Sequence, residues 1–387
     1  MKWPMVKFGS VCKLQNGRAF KPEEWSTSGT PIIRIQNLND DTKSFNYCDF
    51  EVEDRFHVNS GDLLFSWSGT PGTSFGAFFW NRGKGFLNQH IFRVDIDENE
   101  VSKNYLRYAI NSKLNLIIDQ AHGGVGLKHI TKGKLEAIEI PLPPLEEQKR
   151  IAAILDKADA IRRKRQQAID LADEFLRSVF LNMFGDPVTN PKGWEVVELN
   201  QLIVSNDKLN YGVVQPGEHD EDGVPLVRSG DLSGRTPDKS TIRRVSASVD
   251  LKHKKSRLVG NEILIACVGS IGKVGWVSEE MKGWNIARAV TRIPLKSSVN
   301  REYIYRYLQS PVVQGYFERE TRAVAQPTLN VGLIGKTPIA LPSSDLQDEF
   351  LSRYSAIESY KNKQLRHLDE ESTLFSALSQ KAFSGEL

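Results

Sequence analysis

The stretch from Glu139 to Leu155 reads EIPLPPLEEQKRIAAIL. A short, β-prone apolar run meets Pro141, Pro143 and Pro144, and a charged, helix-forming sequence follows at once. Proline cannot donate to a β ladder, so the prolines end the strand. Pro144 is tolerated beside a helix N-terminus, and Glu146 and Glu147 suit the positive end of the helix dipole. The stretch therefore predicts a stiff joint between a globular domain and a helix. From Glu146 to Phe184 there is no Gly or Pro, and Ile151, Ile154, Ala158, Ile161, Ala168, Ala172, Phe175 and Val179 recur at helical spacing. Leu155, Ile169, Leu176 and Met183 widen the stripe. Such a helix is roughly 60 Å long at ~1.5 Å per residue, and it cannot bury its apolar stripe alone.

A fainter copy of the joint, IALPSSDLQDEFLSRYSAI, runs from Ile339 to Ile357. It belongs to a longer echo. Trp3 and Val6 match Trp194 and Val197. TPIIRIQNL (Thr30 to Leu38) matches VPLVRSGDL (Val224 to Leu232), and GDLLFSWSGTPG (Gly61 to Gly72) matches NEILIACVGSIG (Asn261 to Gly272). NYLRYAINS (Asn104 to Ser112) matches EYIYRYLQS (Glu302 to Ser310). The offset stays between about 190 and 202 residues, too long a period for a solenoid. The chain reads as two copies of one unit, each a mixed domain followed by a long helix. The second helix offers Phe350, Tyr354, Ile357, Leu365, Leu368, Phe375 and Leu378, and the two stripes are expected to cover each other.

Within each copy, apolar β-rich runs such as DLLFSW and EILIACV alternate with glycine-marked turns and short helical segments. The expected fold class is α+β: two tandem domains, each with a curved or barrel-like sheet and short helices. Expected boundaries are residues 1–143 for the first domain and 144–186 for the first long helix. Residues 187–342 hold a linker and the second domain, and 343–387 the second long helix. The linker reads NMFGDPVTNPKGW (Asn182 to Trp194), rich in Gly and Pro.

Composition, at 40% hydrophobic and 26% charged over 387 residues, is that of a soluble globular protein too long for one core. No run of about 18 apolar residues suggests a membrane span, and the N-terminus lacks a signal-peptide core. Cys12, Cys48 and Cys267 lie far apart, which suits a reducing cytoplasm better than a disulfide framework. Net charge is only +3, but residues 190–342 hold 21 Lys+Arg against 16 Asp+Glu, a local excess suited to phosphate.

Catalytic patterns fail. GLIGKT (Gly332 to Thr337) resembles the end of a P-loop, but Asn330 stands where the first glycine is required. No HExxH or paired CxxC supports a metal site. The tetrapeptide that marks aminomethyltransferases, Asn or Asp followed by Pro-Pro and an aromatic residue, does not occur.

A β-rich domain closing on IPLPPLEEQKRIAAIL, a long helix, the linker NMFGDPVTNPKGWE and a second copy together resemble the specificity subunit of type I restriction–modification systems. The likeness spans essentially the whole chain. It implies two target recognition domains, each reading one half of a split double-stranded DNA site, held apart by an antiparallel coiled coil with pseudo-twofold symmetry. It implies no catalysis in this chain. Two modification subunits would carry S-adenosylmethionine and methylate adenine, and restriction subunits would use ATP and Mg. The second copy departs from the pattern: LPSSDLQ lacks the Pro-Pro pair and the Glu before Gln347.

Reading bases takes side chains with paired donors and acceptors on loops. In the first domain these are Gln15, Asn16, Arg18 and Lys21, then Trp67, Ser68 and Thr73, then Asn88, Gln89 and His90. In the second they are Lys208, Asn210 and Tyr211, then Arg243 and Arg244, then Lys252, Lys254, Lys255 and Lys273. The Lys252 to Arg257 cluster reads as phosphate contacts, and Gln36 and Asn37 as turn caps. Mid-helix, Arg162, Arg163 and Arg165 read either as a solvated face or as a surface for DNA or an acidic partner. A free-standing two-headed DNA-binding protein is the alternative, and it would not leave a wide apolar surface on its helices.

Overall fold

The computed structural model describes residues 3–69, 75–123, 128–186, 189–232, 237, 239–321 and 328–387. The chain divides into two compact units: Met1–Gln166 with Leu365–Leu387, and Gln167–Gln364. The architecture is α+β, with two long helices.

The two units are built alike. In unit 1 the main sheet runs Lys13–Asn16, Ile91–Asp95, Leu63–Ser66, Gly76–Phe79, all antiparallel. In unit 2 it runs Asn210–Tyr211, Val290–Pro294, Glu262–Ala266, Val274–Trp276, in the same order and sense. A second sheet in each unit contains one parallel pair, Thr30–Ile33 with Gly85–Leu87 and Val224–Val227 with Asn285–Ile286. None of these sheets closes on itself among the described residues.

Helix α1 (Lys103–Asn111) of unit 1 and its counterpart in unit 2 are held by matching groups. The Ser102 hydroxyl accepts from the Tyr105 amide, and Tyr105 Oη donates to the Pro141 carbonyl at 2.8 Å. The counterpart helix spans Arg301–Gln309; Asn300 accepts from the Tyr303 amide, and Tyr303 Oη donates to Ala340 O at 2.8 Å. Each tyrosine thus ties its helix to the strand that ends at the joint, while Ser102 and Asn300 serve as N-caps.

The first long helix, α2 (Leu145–Phe184), begins at the joint as expected. Gly185 follows it at φ +75° and its amide bonds to Leu181 O, a left-handed cap where a Cβ would meet Pro191 at 2.7 Å. With the Arg301–Gln309 helix as α3, the second long helix is α4 (Ser344–Ser384). Inside unit 1, Arg150 meets Leu387 O at 2.9 Å and Arg165 meets Glu371 at 2.6 Å. Inside unit 2, Lys361 meets Asp173 at 2.5 Å. The unit 1 segments of the two helices therefore run in opposite directions, and their apolar faces join the unit's core: Ile151, Ala152 and Leu155 with Ala382, Leu378 and Phe375. In unit 2, Phe180 and Phe184 pack on Phe350 at 5.9 and 5.0 Å.

The phase of the stripe differs from the expected one at three places. Ile161, Phe175 and Leu365 are exposed at 51%, 58% and 43%. At the level of Ile161 the helix-facing positions belong to Arg162, whose guanidinium lies 4.7 Å over the Phe375 ring, and to Arg165. A long charged side chain can bury its stem in an apolar seam, so the polar residues take the seam and Ile161 turns outward. Arg163 is 64% exposed and pairs with Asp159.

Candidate nucleic-acid interface

Sheet register brings the expected loops of unit 1 to one end of the main sheet. Asn16 lies opposite Phe92, and Ser66 opposite Ile91. Beyond that edge the Trp67 amide bonds to His90 O, and the Arg18 amide to Leu87 O at 2.8 Å. Gln15, Asn16, Trp67, Ser68, Asn88, Gln89 and His90 are thereby gathered. Gly17 makes the close approach possible, since a Cβ there would lie 2.0 Å from Asn88 O.

Unit 2 repeats this geometry. The Cys267 amide bonds to Ala289 O and the Val213 amide to Ile286 O, both at 2.8 Å. A Cβ on Gly212 would lie 1.6 Å from Ile286 O. Tyr211, Cys267, Arg288 and Ala289 therefore stand where unit 1 has Asn16, Trp67, Gln89 and His90.

Side-chain environments sort the candidates. Asn16 and Lys21 are exposed, as are Lys208, Lys252, Lys254 and Lys255. Tyr211 is 55% exposed. Gln15 bonds to Asn16 O, and Gln89 to His90 Nε2 at 3.1 Å. Arg18 pairs with Glu24 and lies over the Phe20 ring, so it braces its own loop. Ser68 is buried. Asn210 is spent on structure: Oδ1 accepts from Arg292 and Nδ2 donates to Lys255 O at 2.7 Å, tying the lysine cluster to the sheet. Arg292 in turn is buried between Asp207 and Glu262.

Arg243 and Arg244 lie apart from this end, in a cleft with His219, Arg228 and Lys239. Their guanidinium groups bond to the Gly217 and Gly223 carbonyls. Lys273 lines a cleft against Arg306, Glu358 and Asn362 of the helical part of its unit. Thr73 lies outside the described residues. Asn37 caps a turn, accepting from the Arg34 amide and donating to the Lys43 and Ser44 carbonyls.

Sequence reasoning missed Arg288, whose exposed guanidinium has no partner among the described residues. The signal was its repeat match to Gln89. In unit 1, Trp67 stacks on Phe92 at 5.7 Å and meets His90 edge-on at 5.3 Å. Trp67 Nε1 and His90 Nδ1 are buried without a partner, and burial holds His90 below its ordinary pKa. An unpaired buried polar atom is uncommon enough in native structures to mark a place.

Each unit is also fastened to its long-helix segment by charge. Asp156 accepts from Asn104, Arg107 and Tyr108 at 2.8 to 3.0 Å. Arg306 makes a two-pronged contact with Glu358 at 2.7 and 2.6 Å. The former P-loop candidate is a short helix, Val331–Gly335, capped by Asn330. Among the described residues, no group of His, Cys, Asp and Glu is arranged to hold a metal ion, and no helix is long and apolar enough to cross a membrane.

The sequence profile of the type I restriction modification DNA specificity domain matches residues 1–171 and 191–369. The EcoBI specificity subunit of Escherichia coli is 30% identical, over all of this chain and 86% of its own length. The MjaVIII specificity subunit of Methanocaldococcus jannaschii is 23% identical over 92% of this chain and 86% of its own. The crystal structure of a type I restriction–modification S subunit from M. genitalium superimposes with a TM-score of 0.55 at 16% identity, covering 99% of this chain and 96% of that one, a likeness of fold. Two matched sheet ends on two repeated units, joined to long helices, thus accompany a family match in both halves: the chain belongs to the type I restriction–modification specificity family, as a sequence-specific DNA-recognition subunit and not a catalytic one.

Proposed function

We propose that each unit reads one half of a bipartite double-stranded DNA target with the sheet end described above. The observation that carries this is the matched pair of ends, Asn16–Trp67–Gln89 and Tyr211–Cys267–Arg288, built on the same register. Asn16, Gln89, Tyr211 and Arg288 are the base-reading group. Lys21, Lys208, Lys252, Lys254 and Lys255 are phosphate contacts, which position a protein on DNA without specifying sequence. Trp67 and His90 back the reading edge of unit 1. The sheets of each unit curve in a barrel-like way around their shared apolar filling.

The long helices act as an antiparallel coiled coil in a pseudo-twofold arrangement and set the interval between half-sites. Modification subunits bearing S-adenosylmethionine methylate adenine where this chain directs them. Restriction subunits using ATP and Mg cleave, and the whole complex acts in the cytoplasm. An open groove of about 700 Å³ in unit 2, lined by Leu171, Phe175, Ile357 and Tyr360, favours this assembly over a free-standing DNA-binding protein. Leu171, Phe175 and Tyr360 are each at least half exposed there, which suits an apolar partner surface. We assign that surface to a modification subunit.

Deleting one heptad from both long helices tests the spacing role. At ~1.5 Å per residue and 3.4 Å per base pair, the recognised spacer should shorten by about 3 base pairs. Methylation mapping that returns an unchanged spacer refutes it.

A further inference from the structure

The two reading ends are not equally filled. In unit 1 three rings meet behind the edge: Trp67, His90 and Phe92. In unit 2 the same register positions hold Cys267, Ala289 and Thr291, three small residues. Cys267 Sγ and Thr291 Oγ1 lie 2.9 Å apart. Beside Cys267 is a cavity of about 470 Å³, lined by Tyr211, Cys267, Arg288, Ala289, Thr328 and Asn330. That volume falls in the range of small-molecule sites, ~300–1,000 Å³.

Its walls suit one kind of guest. Val268 and Leu329 add apolar surface to the lining. Tyr211 lines the cavity and is 55% exposed. The Arg288 guanidinium, without a partner among the described residues, adds a positive charge to the lining. An apolar slot with an aromatic wall and a free guanidinium matches a flat, polar-edged heterocycle attached to a phosphate. In unit 1 the three rings occupy those positions.

We propose that unit 2 takes one nucleobase of its half-site out of the stack into this cavity, with the ring against Tyr211 and the adjoining phosphate on Arg288, while unit 1 reads its half-site without extruding a base. This rests on unit 2 being a DNA-reading unit. Bases stack on aromatic side chains with little sequence preference, so the cavity would add affinity.

The test uses this chain in complex with its modification subunits, without methyl donor. Duplexes carry a single abasic site, stepped through the half-site of unit 2. The adenine that becomes methylated is left out of the scan, because extrusion there belongs to the modification subunit. One position is expected where base removal tightens binding roughly tenfold, since no stacked base has to be extracted. A 2-aminopurine at that position should brighten on binding. Ala289→His, which returns the ring of unit 1, and Tyr211→Ala, which removes an exposed side chain, should each abolish the brightening. Affinity lost at every abasic position, with 2-aminopurine dim throughout, overturns the proposal while leaving DNA reading by unit 2 intact. Competition by free nucleoside monophosphates against the intact duplex also overturns it, by giving the cavity to a free nucleotide. Failure of the intact duplex to bind overturns both readings.

Discussion

Gln148 Nε2 donates to the Pro143 carbonyl at 2.9 Å, across the turn that joins the last strand of unit 1 to its long helix. The same side chain accepts from the Ser102 amide at 2.9 Å, so one buried glutamine ties the joint to the start of α1. In unit 2, Gln347 Nε2 donates to Pro342 O at 3.0 Å. The proline-rich form is therefore not what makes the joint. The glutamine survives in both copies and holds the turn in both.

Gln148 is 1% exposed, whereas Gln347 is half-buried. Gln148→Ala takes the partner from the Ser102 amide and from the Pro143 and Glu100 carbonyls and should cost about 2–3 kcal/mol, while Gln347→Ala should cost about 1 kcal/mol. Chemical denaturation of the full chain checks the order. Equal losses would show that the bond to Ser102 adds nothing.

The repeat, the joint and the two long helices were legible because prolines, periodicity and self-similarity are local signals. The seam phase was not. Ile161, Phe175 and Leu365 are the right residue type at nearly the right spacing, but which face wins depends on partners about 200 residues away, such as Phe375 under Arg162. The same limit applies to the candidate DNA contacts. Sheet register brings loops QNGR, SWSG and NQH to one end of unit 1, but the engagement of Arg18 with Glu24 and of Asn210 with Arg292 is written in tertiary pairing. Arg288 was within reach through its repeat match to Gln89.

Arg162 and Arg165 face the helix contact within unit 1 and do not face outward. The double variant Arg162→Ala with Arg165→Ala should lower the thermal midpoint of the chain. It should leave the slope of log binding constant against log salt unchanged, since that slope counts phosphates neutralised. A shallower slope would place these arginines on DNA.

Phe175 and Leu171 are exposed in the apolar groove of unit 2. Phe175→Ser with Leu171→Ser should leave the stability of this chain within about 0.5 kcal/mol of its starting value. Co-purification should then show less modification subunit per chain. Undiminished stoichiometry removes the groove from the partner surface.

Burial of His90 lowers its pKa, so the folded chain resists its protonation. The associated stability is fully present above its ordinary value of 6.5 and is lost as pH falls through the lowered folded value. Melting followed between about pH 8 and pH 5 should show that loss, and His90→Gln should flatten it. An identical profile in the variant would trace the acid sensitivity to another group.

The central claim is that two units of one chain read two separate stretches of DNA. Methylation-sensitive long-read sequencing of DNA from cells expressing this chain with its modification subunits tests it most directly. The account predicts a motif of two specified blocks around a gap of fixed length and free sequence, with one methylated adenine in each block. A single uninterrupted motif, or a gap of variable length, would contradict it.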